Sequence, residues 1–192
     1  MERNSQVSQG YKLESQIREA YGRVTYTQTC HNKMIQSLKS KDNNVKIAQI
    51  VLSAITTGSF LVTLVSSEKL AGFLGAIISI ILLILNTYVK DFNLLEMVHE
   101  HQKASDLLWK IREEYVSLLT DFDILDMEAI MEKRDELQNR TAEVYSNSPK
   151  TDAKSYAAAQ KALKTEEEQT FSEIEIDVML PNSIRRSNRD IN

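Results

Sequence analysis

The sequence has few of the residues that build disulfide frameworks and tight turns. Among 192 residues there are one cysteine, two prolines and five glycines. The single cysteine, Cys30, excludes a disulfide within the chain and suits a reducing compartment. Scarce proline and glycine favour long, uninterrupted helices. The net charge of −4 argues against nucleic acid as the main partner, so direct nucleic-acid binding is not expected.

The sequence also lacks the patterns of catalytic and metal chemistry. It has no glycine-rich phosphate loop, no GxSxG and no CxxC. His99 and His101 flank Glu100, but residues two apart point to different faces of a helix, so we expect a surface role there and no metal site. No nucleophile, base or ligand set can be placed, which disfavours an enzyme of lipid or nucleotide chemistry. We therefore predict no catalytic residue, no metal and no cofactor.

Two uncharged apolar runs dominate what is present. They cover residues 47–65 and 70–89, separated by only four residues. About 20 residues at ~1.5 Å per residue give roughly 30 Å, the thickness of a bilayer's hydrocarbon core. The second run is apolar on every helical face, whereas a soluble amphipathic helix shows a polar stripe. The runs predict an all-α protein with a two-span transmembrane hairpin; the alternative is a buried hairpin in a soluble bundle.

The distribution of charge predicts the topology of this hairpin. The first fifteen residues contain no apolar run, so no cleavable signal peptide is expected. Lysines flank the hairpin on its outer ends, at Lys33, Lys39, Lys41, Lys46, Lys90 and Lys103, while the turn holds only Lys69. The positive-inside rule therefore places both termini in the cytoplasm.

The chain divides into four parts on this basis. They are an N-terminal cytosolic amphipathic helix (1–45), the transmembrane hairpin (46–90), a cytosolic helical region (91–168) and a tail (169–192). An apolar period indicates the first helix at Leu13, Ile17, Ala20, Val24, His31, Ile35 and Leu38. Residues 41–44 (KDNN) are expected to break this helix before the membrane, because Asp and Asn favour turns. Beyond the membrane, a helix is expected from Phe92 without a pause.

The cytosolic region carries a heptad seam. Its apolar residues are spaced alternately three and four apart: Leu108, Ile111, Tyr115, Leu118, Phe122 and Leu125. Such a seam needs a partner helix, either the N-terminal helix of the same chain or the identical helix of a neighbour. These six residues are the candidates for a cytosolic oligomer contact.

Signals for helix ends continue after the seam. Aspartates within residues 120–126 are suited to cap a following helix, which Pro149 should end, and Thr151 or Asp152 should cap a last helix to Glu168. In the tail, apolar residues 174, 176 and 178 alternate with acids, which allows a short strand added to a partner. Arg185, Arg186 and Arg189 form a basic tip, either solvated or touching lipid or a partner.

Polar and small residues inside the spans form two stripes. One face of the first span carries the pore-lining candidates Gln49, Ser53, Thr56, Phe60 and Thr63, and Ser67 extends it. The second span carries the helix-packing candidates Ala71, Gly75, Ser79 and Asn86. Either both stripes only pack the hairpin and its dimer, or the first lines a pore. Because two helices cannot enclose water, a pore requires a homo-oligomer, in which a ring of Phe60 side chains would form an apolar constriction.

This architecture resembles the SLATT domain, the two-transmembrane effector domain of bacterial nucleotidyltransferase and nucleotide-sensor defence systems. The stretch from Arg134 to Leu163 (RDELQNRTAEVYSNSPKTDAKSYAAAQKAL) is similar to the C-terminal part of the subgroup linked to reverse transcriptases. The resemblance implies a multi-pass protein of the bacterial inner membrane that depolarises it during phage infection, causing abortive infection. It also implies a separately encoded sensor or synthase, a nucleotidyltransferase or reverse transcriptase, as partner.

Two functions therefore remain open from the sequence. The first is a pore-forming effector, which should be sensitive to apolar substitutions such as Ser53→Leu or Thr56→Leu. The second is a non-conducting membrane scaffold, which should instead be sensitive to breaks in the seam such as Ile111→Asp.

Overall fold

The computed structural model describes residues 2–66 and 69–186, and the described residues form helices and connecting loops with no strand. The α-helices are α1 (Glu2–Ser66), α2 (Lys69–Asp91), α3 (Leu94–Thr120), α4 (Met127–Asn147), α5 (Ala153–Lys164) and α6 (Glu173–Met179). A single 3-10 turn follows at Asn182–Ile184. The all-α class predicted from the sequence is confirmed.

The first helix runs unbroken from the segment that precedes the apolar run into the first membrane span. The expected break at residues 41–44 is wrong, because α1 continues through them. Asp42 is buried and pairs with Lys46 at 2.7 Å, one helical turn away. Asp and Asn inside a helix cost well under ~1 kcal/mol each, whereas a break would leave two new helix ends with unpaired backbone groups. The segment before the membrane and the first span therefore form one continuous helix.

The return from the membrane, in contrast, is interrupted. The expectation of a helix without a pause after Phe92 is wrong, since α2 ends at Asp91 and α3 begins at Leu94. Asn93 caps α3, its side chain accepting from the backbone N–H of Glu96 at 3.2 Å. The chain thus changes direction at the membrane boundary on the α2 side only.

The later helix ends largely follow the sequence signals. Asp126 caps α4, α4 ends two residues before Pro149, and Asp152 caps α5, as the sequence predicts. The end of α5 at Lys164 comes earlier than predicted. The strand considered for the tail is wrong, because residues 173–179 form α6, with a complete capping box between Ser172 and Glu175.

The two apolar runs lie outside any protein core. Large side chains of both spans are exposed, for example Val65 of α1 at 88% and Leu70 of α2 at 68%, although α1 and α2 pack against each other. A core helix of a soluble bundle would bury such residues, whereas lipid covers them in a membrane hairpin. The two helices are long and apolar enough to cross a membrane. The hairpin is therefore a two-span membrane domain.

The core outside the spans lies between α1 and α3, with α4 and α5 packed on it. It is made of apolar side chains from α1, α3 and α4: Leu13, Ile17, Ala20, Val24, Ala104, Leu108, Ile111, Tyr115, Leu118, Ile130, Leu137 and Val144. An ion pair ties α4 to α3, in which Arg140 donates to both carboxylate oxygens of Glu114 at 2.7 Å. This pairing lowers the pKa of Glu114 to about 2.

Candidate functional site

The two stripes predicted inside the membrane meet at one groove between α1 and α2. Thr56, Phe60 and Thr63 of the first stripe line it together with Gly75 and Ser79 of the second. Its volume is about 180 Å³. The groove therefore combines polar hydroxyls and small residues on one side of the hairpin, at membrane depth.

Glycines set how closely the two spans approach. A Cβ built on Gly75 would lie 3.1 Å from the Cβ of Ser59, and one on Gly72 would lie 3.3 Å from the side chain of Thr63. Gly75 is the residue of α2 that is buried. Small residues allow such close backbone contact in membranes. Gly75 thus lies in the close contact between the two spans, and Ala71, four residues before it, is partly buried.

The threonine hydroxyls that line the groove form their hydrogen bonds within α1. Thr56 donates to the carbonyl of Leu52 and Thr63 to that of Ser59, each at 2.9 Å. Both side chains are half-buried against α2. The surface of the groove is therefore formed mainly by apolar atoms of these side chains.

Gln49 and Asn86 join the spans at the end of the hairpin opposite its turn. The Gln49 side-chain amide donates to Asn86 Oδ1 at 2.8 Å. The sequence places Gln49 among the pore-lining candidates and Asn86 among the packing candidates, yet the two side chains form a hydrogen bond with each other. In this hairpin the pair acts as an interhelical tie.

We expect this tie to contribute modestly to stability. Gln49→Leu and Asn86→Leu should each destabilise the hairpin, and a double-mutant cycle should give a coupling of about 0.6–1.7 kcal/mol, the range of interhelical hydrogen bonds in membranes. Unfolding in mixed micelles, followed by circular dichroism, measures it. Fully additive effects of the two changes would show that the bond contributes nothing.

Ser53 and Phe60 take a different position from the rest of their stripe. Both are exposed on α1, Phe60 at 61%, at the rim of the contact with α2. Thr57, beside Ser53, is exposed as well and donates to the Ser53 carbonyl at 3.0 Å. Sequence reasoning missed Thr57, although its spacing of four from Ser53 could have indicated it. The predicted stripe is thus divided between the hairpin contact and its outer rim. Ser67, at the end of the stripe, lies outside the described residues.

The heptad seam is divided in a similar way. Leu108, Ile111, Tyr115 and Leu118 are buried in the contact of α3 with α1 of the same chain. Phe122 packs partly against this core, and Leu125 is 41% exposed. The reason is that α3 ends at Thr120, so the last two residues of the seam lie beyond the helix. In the single chain, the partner helix of the seam is α1 of the same chain.

A buried histidine pair connects α1 and α3 between this core and the membrane. His31 and His101 are 3% and 0% exposed, and their Nδ1 atoms share a hydrogen bond of 2.8 Å. The surface role expected for His101 is therefore wrong, while His99 is exposed as expected. Burial, and then the neighbouring His101, lowers the pKa of His31 to about 4; burial also lowers the pKa of His101, against the opposing charges of Glu100 and Asp152. Both rings are neutral at pH 7.

This pair should make the stability of the helical part outside the spans depend on pH. Because folding lowers the histidine pKa values below 6.5, the contribution of neutral His31 is complete above pH 6.5 and is lost as pH falls toward about 4. A change of this size corresponds to roughly 3 kcal/mol. Denaturation in micelles between pH 7 and pH 4 measures it. His31→Gln should flatten the slope, and the exposed His99→Gln should leave it; an unchanged slope in His31→Gln would contradict the assignment.

A loop after α5, residues 165–172, straps across α1 and α3. Glu168 accepts from Lys33 Nζ of α1 at 2.8 and 3.0 Å, and Gln169 donates to Thr29 of α1 at 3.0 Å. Arg112 of α3 donates to the Gln169 side-chain oxygen. Glu167 and Gln169 hold left-handed backbone angles, φ 52° and 70°, which cost about 1 kcal/mol each in non-glycine residues. These contacts fix a strained strap, which no local sequence signal indicates.

The described residues contain no group of three or more His, Cys, Asp or Glu side chains arranged to hold a metal ion. Cys30 is buried, and burial raises the pKa of its thiol. The chemistry that this arrangement supports is therefore packing, hydrogen bonding and exposure of polar groups to a membrane.

Comparison with known proteins gives one match. The family model described as SMODS and SLOG-associating 2TM effector domain family 4 matches residues 13–175. The matched range covers the core outside the spans, both spans and the start of α6. No curated protein and no solved structure matches the chain.

Proposed function

The chain belongs to the SMODS and SLOG-associating 2TM effector domain family 4, the SLATT family, and from this premise we propose that it is a membrane effector of bacterial anti-phage defence. The effector assembles into an oligomeric pore in the inner membrane, with both termini in the cytoplasm. Opening of the pore depolarises the membrane and stops the infected cell before phage is released. A separately encoded nucleotidyltransferase or reverse transcriptase supplies the trigger.

The position of Ser53 carries the proposal of a pore. Ser53 and the adjacent Thr57 expose their side chains on the outer rim of the hairpin, in the middle of an uncharged span. Polar side chains at this depth face other helices or water rather than lipid. In a ring of hairpins this rim faces either a neighbour or the axis.

The unbroken α1 supports a mechanical link from the cytosol to this rim. The same helix carries the core residues Ile17 and Val24, the histidine His31 and the span. A rotation or tilt of the cytosolic part therefore moves Ser53 without a hinge in α1. The break at Phe92–Asn93 lets α3 change its angle to α2 meanwhile.

A substitution at the rim tests the pore. Ser53→Leu should abolish the growth arrest caused by the triggered protein, because it replaces a polar hydroxyl on the rim with an apolar side chain. The amount of protein in the membrane fraction should stay unchanged. The matched control is Ala54→Leu, which adds the same side chain at the next exposed position of the span. Full arrest with Ser53→Leu would favour the non-conducting scaffold instead.

A further inference from the structure

A further groove lies outside the spans, where α1, α3 and α4 meet. Its volume is about 200 Å³. Ala20 and Val24 of α1, the ring of Tyr115 from α3 and Ala142 of α4 give it a mainly apolar surface, to which a few polar side chains are added. Apolar walls with a small number of polar groups are the usual composition of a site for a small molecule.

One of these polar groups is a buried hydroxyl without a partner. Tyr115 is completely buried, and its hydroxyl forms no hydrogen bond with any of the residues that the structure describes. The hydroxyls beside it are already engaged: Thr141 donates to the carbonyl of Leu137 at 2.7 Å, and Tyr145 shares a hydrogen bond of 3.1 Å with Thr27. Buried polar groups are almost always hydrogen-bonded. The Tyr115 hydroxyl is therefore a donor for which the chain supplies no acceptor.

The charges around this hydroxyl favour an anion. Arg23 is the charged residue among those that line the groove, and none of them is acidic. Burial raises the pKa of Tyr115, while Thr141, Arg23 and Arg134 act in the opposite direction. The arginines do so because positive charge stabilises the phenolate, as it would any other anion at this place.

The pairing of Arg23 with Glu19 leaves room for a second acceptor. The two side chains are 56% and 72% exposed, and a surface pair of this kind contributes little to stability. Only one terminal nitrogen of the guanidinium takes part in it, and a guanidinium carries several other N–H donors. Arg23 can therefore keep Glu19 and also bind an anion in the groove.

The distance from the bilayer and the number of donors define the ligand. Val24 precedes Ile47, the first residue of the apolar run, by 23 positions on the continuous helix α1. At ~1.5 Å per residue the groove lies roughly 35 Å along this helix from the membrane, so its ligand is a water-soluble molecule and not a lipid. One guanidinium and one hydroxyl match the two oxygens of a carboxylate, whereas a doubly charged phosphate ester would keep unpaired acceptors.

We propose that this groove binds a small monocarboxylate with an apolar body. The carboxylate accepts from the Tyr115 hydroxyl and from Arg23, whose exposed side chain turns aside to admit it. The apolar body lies against Ala20, Val24 and Ala142. One bound molecule thus contacts α1, α3 and α4 together, and this binding does not depend on the pore proposed above.

Nuclear magnetic resonance of the full chain in lipid nanodiscs, with ¹³C-labelled alanine methyl groups, tests the groove. The probes are benzoate and its neutral analogue benzamide. Benzoate should shift the methyl signals of Ala20 and Ala142 in a saturable way and leave those of Ala157 and Ala158, which are exposed on α5. Benzamide should bind about tenfold more weakly, because hydrogen bonds to a charged group are the stronger ones.

Matched substitutions test the two contacts separately. Tyr115→Phe and Arg23→Gln should each weaken benzoate binding about tenfold, because each removes a hydrogen bond to a charged group. Tyr156→Phe, at a tyrosine that is 55% exposed on α5, and Glu19→Gln, which removes the surface pair but keeps Arg23, should not weaken it. Without ligand, Tyr115→Phe should unfold at the same temperature as the unchanged chain or a higher one, because the hydroxyl that it removes has no partner.

Several results would overturn the proposal. They are no saturable shift with acetate, isobutyrate or benzoate, equal shifts at the α5 alanines, unchanged benzoate affinity in Tyr115→Phe, and displacement of benzoate by inorganic phosphate at equal concentration. A loss of stability in ligand-free Tyr115→Phe would also contradict it, since the hydroxyl would then already be bonded within the chain. None of these measurements depends on membrane damage, so a failure of the pore and a failure of this groove are told apart.

Discussion

Replacement of Gly75 by valine is expected to force the two membrane spans apart. The added side chain would begin 3.1 Å from the Cβ of Ser59, which is tighter than most Cβ contacts in proteins, and overpacking of this kind costs about 1–3 kcal/mol. The groove between the spans would be lost with it, so the variant should also lose the growth arrest.

Disulfide trapping measures the separation of the spans. In a Cys30→Ser background, Thr63→Cys together with Gly72→Cys places two thiols where the Cβ atoms lie 3.9 Å apart, which suits a disulfide. Oxidation should crosslink this pair in the otherwise unchanged chain, and Gly75→Val should prevent it. Gly58→Val is the control, because a Cβ there meets no atom within 4 Å. Efficient crosslinking in Gly75→Val would show that Gly75 does not set the approach of the helices.

Truncation of Leu108 should strongly destabilise the helical part outside the spans. Leu108 is completely buried between α3 and α1, and Leu→Ala in such a site costs about 2–5 kcal/mol. Leu125→Ala makes the same chemical change at the exposed end of the predicted seam and should cost less than ~1 kcal/mol.

Denaturation in micelles, followed by the fluorescence of Trp109, the single tryptophan, compares these two variants. The residue lies on α3 next to Leu108 and therefore reports the unfolding of that helix. Equal losses in Leu108→Ala and Leu125→Ala would mean that the seam works as one unit in contact with another chain. A loss confined to Leu108→Ala would place the stabilising contact within the chain.

The membrane hairpin was predictable because its signal is local. Insertion depends on the summed hydrophobicity of about 20 residues, and residues 47–65 and 70–89 carry no charge that competes with it. Capping was predictable for the same reason: the side chains of Asp126 and Asp152 bond to backbone N–H groups three residues away.

The errors arose where tertiary contacts outweigh local preference. Residues 41–44 favour a turn by composition, but the helix continues through a buried Asp42. His101 follows a charged residue and precedes a glutamine, yet α3 turns it inward onto His31, 70 positions away in sequence. Gln169 bonds to Thr29 across an even longer separation. No local pattern encodes such pairs, because they exist only once α1, α3 and α5 have packed.

The membrane potential of infected cells tests the central claim most directly. Host cells with the complete defence locus, loaded with a voltage-sensitive dye, carry either the unchanged chain or Ser53→Leu and are infected with a phage that the locus restricts. The account predicts depolarisation before lysis with the unchanged chain and a maintained potential, followed by phage release, with Ser53→Leu. A potential that stays intact while the unchanged chain still blocks the phage would contradict it.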